Sequence, residues 1–331
     1  MAPIVRGSVE RTVLITGGAG YIGALACREL LLTGRKVRVL DCLLHGQEAI
    51  AAELEAAGVE VIRGDVREAA ARETAVRGVE EVVHLAAIVG DPACARDPET
   101  AAETNVQGSR ALLAAARQAG VARLVFASTC SNYGRMADPT VPISEDGALH
   151  PVSLYAEQKV EIERLLLNGP TGSLRPTCLR FATVYGVAPR MRFDLTVNEF
   201  TRDLWADRTL EVFGEQFWRP YVHVSDAARA IRTALDAPSP VTEHAVFNVG
   251  NTGENYRKID LVEAIQREIP RGEVTYVHRD EDPRDYKVNF DKIRADLGFA
   301  TKMTVPDGIR EIARALDASA LGDPYDPRCR N

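Results

Sequence analysis

Three side chains in the middle of this sequence have the types and spacing needed to move a proton: Thr129, Tyr155 and Lys159. Tyr155 and Lys159 are four positions apart, so on a helix they share one face. A free phenol has a pKa near 10, and lowering it by three units requires about 4 kcal/mol. One ammonium group about 4 Å away supplies a similar amount at an effective dielectric constant near 20. The pair is therefore a candidate general base, and the Thr129 hydroxyl is available to hydrogen-bond the substrate oxygen.

A glycine-rich turn upstream indicates a dinucleotide as the partner in this chemistry. Residues 16–23 read T-G-G-A-G-Y-I-G between a predicted strand and a predicted helix. Glycine permits a tight turn, close approach of the backbone to a pyrophosphate, and contact between helix and strand. The free N–H groups and positive dipole end of the helix then favour phosphate. Together with Tyr155, the turn predicts hydride transfer between a dinucleotide and a carbinol carbon.

Asp41, at the end of the second predicted strand, indicates which dinucleotide is bound. A carboxylate there accepts hydrogen bonds from the adenosine ribose and repels a 2′-phosphate. The next residues, C-L-L at 42–44, include no arginine that would bind that phosphate, so the sequence predicts NAD. The segment after the third strand suits an adenine contact, although an ordinary turn explains it almost as well. The predicted cofactor contacts in this region are Gly17, Gly20, Tyr21, Ile22, Gly23, Asp41, Asp65 and Val66.

Short apolar runs alternate with helical patterns over the first half of the chain. Near-continuous Val, Ile and Leu runs indicate strands buried on both faces, which predicts an α/β fold with a Rossmann-type doubly wound parallel sheet. The predicted strands are 13–16, 36–41, 59–65, 81–87, 123–129 and 177–186, and the predicted helices are 21–34, 47–58, 98–120 and 153–168.

The looser pattern after position 186 predicts a smaller C-terminal α/β substrate domain. We predict an NAD-binding domain over 1–186 and a mainly substrate-binding domain over 187–331, with 219–250 returning to the first domain. Ligands are then expected between the two domains, at the carboxyl ends of the parallel strands. Residues 1–10 and 322–331 are predicted to be tails. The other predicted elements are helices at 193–206, 225–236, 256–269 and 306–318 and strands at 219–224 and 245–250.

Composition restricts the class of protein. The chain has 331 residues and a net charge of -7, which argues against a general nucleic-acid binder because polyanions favour basic surfaces. No apolar stretch reaches membrane-spanning length, and residues 1–10 contain no apolar signal-peptide core. The six cysteines are scattered without metal-site spacing. We therefore expect no metal, no membrane partner, reduced thiols and a cytoplasmic location.

Several further motifs resemble those of one family. They are H-L-A-A at 84–87, T-N-V-Q-G around Asn105, S-T-C-S-N-Y-G at 128–134, Y-A-E-Q-K at 155–159, R-F-A-T-V-Y-G at 180–186, R-P-Y-V-H-V-S-D at 219–226 and D-P-R-D-Y-K-V-N-F-D-K-I at 282–293. With the glycine turn, they resemble the extended short-chain dehydrogenase/reductases. The later motifs are similar to those of the family's NAD-dependent nucleotide-sugar epimerases and dehydratases. The resemblance spans roughly residues 11–316.

The resemblance implies a role for each matching residue. Tyr155 is implied as the catalytic base, Lys159 as the residue that binds the nicotinamide ribose and tunes Tyr155, and Thr129 as the residue that positions the sugar hydroxyl. Arg219 and Arg284 are implied as contacts of the nucleotide phosphates, a role that suits the planar guanidinium fork. A homodimer formed through the Tyr155 helix is also implied. The remaining implied contacts are Leu85, Ala86, Ala87 and Asn105 for the cofactor and Asn198 for the nucleotide.

Departures from the family pattern narrow the chemistry. Family dehydratases carry an acid pair, or at least a Glu, just after the catalytic Ser/Thr, where this chain has Cys130 and Ser131. Eliminating water requires a general acid near the leaving hydroxyl, so dehydration is disfavoured. Cys130 is itself a candidate acid/base, with core packing as the alternative, and the neighbouring Ser128 is a further catalytic candidate. Two candidate substrate contacts are less typical: Thr183, where the family often has Asn, and Asp91, which a turn explains almost as well.

These observations favour an epimerase of a nucleotide-activated sugar, with inversion at C4 through a transient keto intermediate. The expected partner is a nucleotide-diphosphate sugar. The main alternative is a nucleotide-keto-sugar reductase or dehydrogenase with an exchanging NAD(P)(H), because both use the same Tyr–Lys pair. A non-catalytic dinucleotide sensor is a third possibility, which would have no need of Tyr155, Lys159 and Thr129.

Overall fold

The computed structural model describes residues 11–136, 138, 141–280 and 284–331. The tail predicted over residues 1–10 lies outside the described residues, as do positions 282 and 283 of the last motif. The strands are β1 (Thr12–Thr16), β2 (Lys36–Asp41), β3 (Glu60–Arg63), β4 (Glu81–His84), β5 (Arg123–Thr129), β6 (Arg175–Phe181), β7 (Thr183–Tyr185), β8 (Leu210–Phe213), β9 (Trp218–His223), β10 (Ala245–Val249), β11 (Asn255–Arg257) and β12 (Val274–Val277). The α-helices are α1 (Gly23–Leu31), α2 (Glu48–Ala56), α3 (Ala69–Val76), α4 (Asp91–Arg96), α5 (Pro98–Ala102), α6 (Ser109–Gln118), α7 (Leu154–Asn168), α8 (Thr196–Trp205), α9 (Val224–Asp236), α10 (Ser239–Thr242), α11 (Lys258–Glu268), α12 (Asp291–Leu297) and α13 (Val305–Asp317).

A seven-stranded sheet organises the first part of the chain. Its strand order is β10-β6-β5-β4-β1-β2-β3, and all neighbouring strands are parallel. Val13 and Ile15 lie in one buried cluster with residues of α1 and α9, whereas Leu14 lies in another with residues of α6 and α7. Apolar residues at successive positions are needed because helices cover both faces. The prediction of a Rossmann-type doubly wound α/β fold is confirmed.

The topology brings the candidate functional residues to one edge of this sheet. All carboxyl ends of parallel strands lie at the same edge, and β1 ends at Thr16, β2 at Asp41 and β5 at Thr129. The chain order reverses beside β1, which pairs with β2 on one side and β4 on the other. Ligands of open α/β sheets bind in the crevice at such a reversal.

The later elements form a second apolar cluster, which covers this edge. A three-stranded sheet of β11, β9 and β7 and a two-stranded sheet of β12 and β8 accompany α8, α11 and α13. Within the predicted return segment 219–250, α9 and β10 contribute to a core cluster of the large sheet, whereas β9 belongs to the three-stranded sheet. We propose a domain boundary near residue 186 with α9 and β10 returning, and the separate core clusters support that division.

Three sequence predictions were wrong in detail. The single strand predicted over 177–186 is two strands, because the chain leaves the large sheet after β6 and β7 joins the small one. The single helix predicted over 98–120 is α5 and α6 joined by a π-helical segment, Glu103–Gly108. The predicted tail 322–331 packs on the protein, where the Cys329 carbonyl accepts a hydrogen bond of 2.8 Å from the Phe193 amide. In the described part of the chain, no helix is both long enough and apolar enough to cross a bilayer.

Candidate active site

A cavity of about 370 Å³ lies at the carboxyl edge of the large sheet. Its wall combines the ends of the parallel strands with the loop between β7 and α8. Of the residues predicted as functional, those that line it are Gly17, Gly20, Tyr21, Ile22, Gly23, Asp41, Asp65, Val66, Leu85, Ala86, Ala87, Asp91, Ser128, Thr129, Tyr155, Lys159, Thr183 and Arg284. Asn105, Cys130, Asn198 and Arg219 are not among its lining residues.

The glycine turn is required by the close packing of two backbone segments. Gly17 has a φ of +74°, and a Cβ atom there would lie 2.9 Å from the backbone nitrogen of Ala86. A Cβ atom on Gly23 would lie 2.2 Å from the Gly17 carbonyl oxygen. Gly20 also lines the cavity, and a Cβ atom there would lie 3.1 Å from the same carbonyl oxygen. This cradle, at the start of α1, fits the pyrophosphate of a dinucleotide.

Asp41 joins the glycine turn to the end of β2. Its Oδ2 accepts a hydrogen bond of 2.9 Å from the Ala19 amide, and its Oδ1 accepts one of 2.9 Å from the Leu43 amide. Burial raises the pKa of the carboxyl group, while the two amides oppose that rise. Each carboxylate oxygen has a second lone pair, so Asp41 can still accept hydrogen bonds from ribose hydroxyls.

Tyr155, Lys159 and Thr129 meet at the far end of the cavity. The Ser153 hydroxyl accepts a hydrogen bond of 3.3 Å from the Ala156 amide and so fixes the start of α7 just before Tyr155. The Lys159 ammonium donates a 2.8 Å hydrogen bond to the Ala127 carbonyl and lies 5.8 Å from the centre of the Tyr155 ring. One hydroxyl, one phenol and one ammonium group thus line the same wall.

The electrostatics of this group differ from the sequence prediction. Burial raises the pKa of the Tyr155 phenol, although Arg192 opposes the rise, and burial lowers the pKa of Lys159 to about 8. Lys159 therefore does not offset the rise in the pKa of Tyr155 that burial causes. A further positive charge, such as an oxidised nicotinamide, is needed to favour the phenolate.

Ser128 and Cys130 occupy different surroundings from those predicted for catalytic residues. The Ser128 hydroxyl donates a 2.7 Å hydrogen bond to the buried Glu163 carboxylate, which also pairs with Arg180. The Cys130 thiol donates to the Arg180 carbonyl at 3.2 Å, and burial raises its pKa. Both side chains therefore join β5 to β6 or α7. Ser128 also lines the cavity, as does Ser131, whereas Cys130 does not.

Asn105 and Asn198, both predicted to contact ligands, form hydrogen bonds with neighbouring loops of the protein. The Asn105 side chain accepts a 2.8 Å hydrogen bond from the Ile88 amide and donates one of 3.0 Å to the Ile88 carbonyl, which fixes the loop after β4. Asn198 is fully buried, where it accepts from the Gly186 amide at 2.9 Å and donates to the Tyr21 hydroxyl at 3.1 Å.

The predicted phosphate contacts lie in different places. Arg284 lines the cavity and forms a 2.8 Å ion pair with Asp91, whose other oxygen accepts a 2.6 Å hydrogen bond from Ser153. Arg219 is buried, donates to the Trp218 carbonyl at 2.7 Å and stacks 5.5 Å from the centre of the Tyr286 ring. Of these two arginines, Arg284 is the one that lines the cavity.

The sequence did not predict that the loop between β7 and α8 forms part of the cavity wall. Residues 187–195 between β7 and α8 contribute Arg190, Arg192 and Leu195 to the lining, and His45 and Asn331 also line it. The only sequence signal was R-M-R at 190–192 in a segment without periodicity. Such a pair of arginines is also typical of an exposed loop.

Comparison with known proteins places this geometry in context. A family model described as the NAD dependent epimerase/dehydratase family matches residues 13–250. The chain belongs to this family. It is 31% identical to the UDP-glucose 4-epimerase of Corynebacterium glutamicum, a match that covers 94% of this chain and 97% of that protein. The predicted family membership and the prediction of an NAD-dependent enzyme are confirmed.

Solved structures of family members share the whole fold. The UDP-glucose 4-epimerase of Thermus thermophilus, in complex with NAD, is 30% identical, with a TM-score of 0.82 over 93% of this chain and 99% of that one. The dTDP-glucose 4,6-dehydratase of Streptomyces venezuelae, also with NAD bound, is 27% identical, with a TM-score of 0.83 over 95% and 99%. The cofactor prediction, NAD, is confirmed, and the family includes both epimerases and dehydratases.

Replacing Gly17 by alanine tests the close backbone approach. Gly34 is the matched control, because its φ of +78° is nearly the same and no atom lies within 4 Å of a Cβ added there. We expect Gly34→Ala to lower the free energy of unfolding by about 1 kcal/mol, and Gly17→Ala to lower it by about 2–4 kcal/mol and to weaken NAD binding. Chemical denaturation and NAD titration measure both effects. Equal losses in the two variants would contradict the role of the Ala86 contact.

The lowered pKa of Lys159 predicts a pH dependence of stability in protein freed of NAD. The unfolded chain holds this proton up to about pH 10.5 and the folded chain only to about pH 8, so stability rises with pH between these values. Lys159→Met removes the effect. We expect the difference in unfolding free energy between native protein and variant to change in favour of the native protein by about 2–3 kcal/mol between pH 7 and pH 10. Lys302→Met, at an exposed position, is the control, and a pH-independent difference for Lys159→Met would refute the prediction.

Proposed function

We propose that this protein is an NAD-dependent epimerase that inverts C4 of a nucleotide-diphosphate hexose, with UDP-glucose as the first substrate to test. The relatives named as UDP-glucose 4-epimerases match nearly the full length of the chain, which supports the proposal. The residues that line the cavity support it too. The glycine turn at one end suits NAD, which exchanges the hydride, and Tyr155 at the other end is a candidate proton acceptor.

The observation that favours epimerisation over dehydration is the distribution of carboxylates. Among the described residues that line the cavity, the acids are Asp41 and Asp65 at the cofactor end, and Asp91. Asp91 already pairs with Arg284 and accepts a hydrogen bond from Ser153. No described acid is therefore free beside Thr129 and Tyr155 to protonate a leaving hydroxyl, as elimination of water requires.

The residues of the chain divide the proposed work as follows. Tyr155 accepts the proton of the C4 hydroxyl and later returns it, while Thr129 holds that oxygen in hydrogen-bonding range. Lys159 contributes positive charge beside the phenol and remains anchored to the Ala127 carbonyl. NAD, when bound, supplies the hydride acceptor and donor. The keto sugar must present its opposite face before reduction, so the product differs from the substrate only in configuration at C4.

The assembly and location of the protein also belong to this proposal. We propose a homodimer whose interface includes α7, on the basis of the family resemblance, and a cytoplasmic location, which the free cysteines support because such compartments keep thiols reduced. Arg284 and Thr183 are the proposed contacts of the nucleotide sugar within the cavity.

Tyr155→Phe tests the proposed function directly. We expect the native protein to interconvert UDP-glucose and UDP-galactose without added cofactor. The variant should lose at least about 10²–10⁴-fold in turnover, because it lacks the proton acceptor, and should still bind NAD. Tyr276→Phe, at a side chain that is 42% exposed, is the control. Chromatography of the sugar nucleotides measures conversion, and mass spectrometry identifies the dinucleotide released on denaturation.

Other outcomes would assign a different function. Turnover that consumes added NADH or NADPH in a fixed ratio to product would identify a net reductase. A protein that binds NAD but converts no nucleotide sugar, and whose behaviour Tyr155→Phe leaves unchanged, would be a dinucleotide sensor.

A further inference from the structure

Arg190 lines the cavity with a buried and incompletely paired guanidinium group. The residue is 8% exposed and lies on the loop between β7 and α8. Its Nη2 donates to the Arg330 carbonyl at 3.0 Å and to the Asn331 Oδ1 at 2.7 Å. Its Nε is buried and has no hydrogen-bond partner. A buried donor without a partner is costly, and this adds to the cost of burying the cation.

The charge of Arg190 is also poorly compensated. Its two hydrogen bonds go to a carbonyl and an amide oxygen, and neither acceptor carries a charge. The neighbouring Arg192, in contrast, forms a bidentate pair with Asp194 at 3.0 and 2.6 Å. Burial and the repulsion of Arg192 lower the pKa of Arg190 to about 10. The group therefore remains cationic at neutral pH, and an anion in the cavity would offset its unfavourable burial.

The surroundings of Arg190 place it at the cofactor end of the cavity. It lies near enough to Asp41 for their charges to interact, and Asp41 is hydrogen-bonded to Ala19 in the glycine turn. Burial, together with the charges of Arg190 and Arg192, lowers the pKa of His45 to about 4. His45 lies just after β2. Of the two arginines, Arg192 is the one whose charge lowers the pKa of Tyr155, at the other end of the cavity. The pyrophosphate is the anionic part of NAD, and Asp41 disfavours a 2′-phosphate at this end.

We propose that Arg190 is a further cofactor-binding residue, which pairs with the pyrophosphate of NAD and retains the cofactor between turnovers. Its Nη2 already donates to Arg330 and Asn331, so the pyrophosphate would accept a charge-assisted hydrogen bond from the remaining guanidinium N–H groups. The loop that carries it is held by residues 329–331, since the Phe193 amide donates to the Cys329 carbonyl and Arg190 itself donates to Arg330 and Asn331. The inference depends on the NAD site alone and not on the identity of the sugar.

The test compares NAD binding in Arg190→Gln, Arg190→Lys and two controls. Asn331→Ala removes one anchor of the loop and leaves the charge of Arg190 in place. Arg267→Gln removes an equal charge at a side chain that is 76% exposed on α11. Calorimetric titration of NAD into protein freed of dinucleotide gives the affinity, and exchange with isotopically labelled NAD gives the rate of release. Thermal unfolding without NAD checks that each variant is folded.

We expect Arg190→Gln to weaken NAD binding roughly ten- to hundredfold, as the loss of a charged hydrogen bond implies, and to speed its release. Arg190→Lys and Asn331→Ala should each lose less than Arg190→Gln, and Arg267→Gln should stay within about twofold. The affinity of the native protein should also fall more steeply with salt than that of Arg190→Gln. If Arg190→Gln does not fold, Arg190→Lys decides, because it keeps the charge but not the guanidinium N–H donors.

Several results would overturn the proposal. Unchanged NAD affinity in Arg190→Gln would refute the pyrophosphate contact. An equal loss of affinity in Asn331→Ala and Arg190→Gln would show that Arg190 only anchors the loop. A loss of affinity for UDP with NAD binding intact would place Arg190 on the substrate. A loss confined to NADP would assign it to a 2′-phosphate. None of these readouts requires epimerase activity, so a failure here is distinct from a failure of the proposed function.

Discussion

The close approach of Gly17 to Ala86 is the constraint on which the rest of the site depends. The two backbones meet where the turn after β1 passes the segment after β4, with no room for a side-chain carbon between them. That contact fixes the direction in which α1 leaves the sheet, and Gly23 must be small for the same reason. With the turn fixed, the Ala19 amide donates a hydrogen bond to the Asp41 carboxylate. The glycine turn and the side chain predicted to bind the ribose are therefore joined directly.

A second principle is that the cavity desolvates charged groups without fully pairing them. Asp41 and Tyr155 have pKa values raised by burial, and Lys159 and Arg190 have theirs lowered by it. Each of these groups is destabilised in its charged form until a ligand supplies the opposite charge or a hydrogen bond. A dinucleotide offers hydroxyls for the carboxylate, an anion for the guanidinium and a cation near the phenol. In the proposed mechanism, the binding of the cofactor and the activation of Tyr155 are therefore linked by electrostatics.

A buried ion pair stabilises the elements that carry Thr129, Tyr155 and Lys159. Glu163 on α7 pairs with Arg180 on β6 and accepts a hydrogen bond from Ser128 on β5. A buried pair of this kind is a weak source of net stability, but breaking it leaves an uncompensated charge, so the three elements keep one arrangement. Tyr155 and Lys159 belong to the same helix as Glu163, and Thr129 follows Ser128. The network therefore sets the distance between the hydroxyl on the strand and the phenol on the helix.

The sequence by itself determined the fold class, the cofactor and the positions of the glycine turn, Asp41, Thr129, Tyr155 and Lys159. These features depend on local rules, namely alternating apolar periods, glycine at a crowded turn and helical spacing of four residues. Only the tertiary structure decided which way the side chains face and which distant segments meet them. It turned the Cys130 thiol toward the Arg180 carbonyl and away from the cavity, and it brought residues 330 and 331 into contact with Arg190 in the cavity wall. The contacts of Ser128 and Cys130 join positions 35 and 50 residues apart, and that of Arg190 with Arg330 joins positions 140 residues apart. No periodicity or spacing within a single chain segment encodes such contacts.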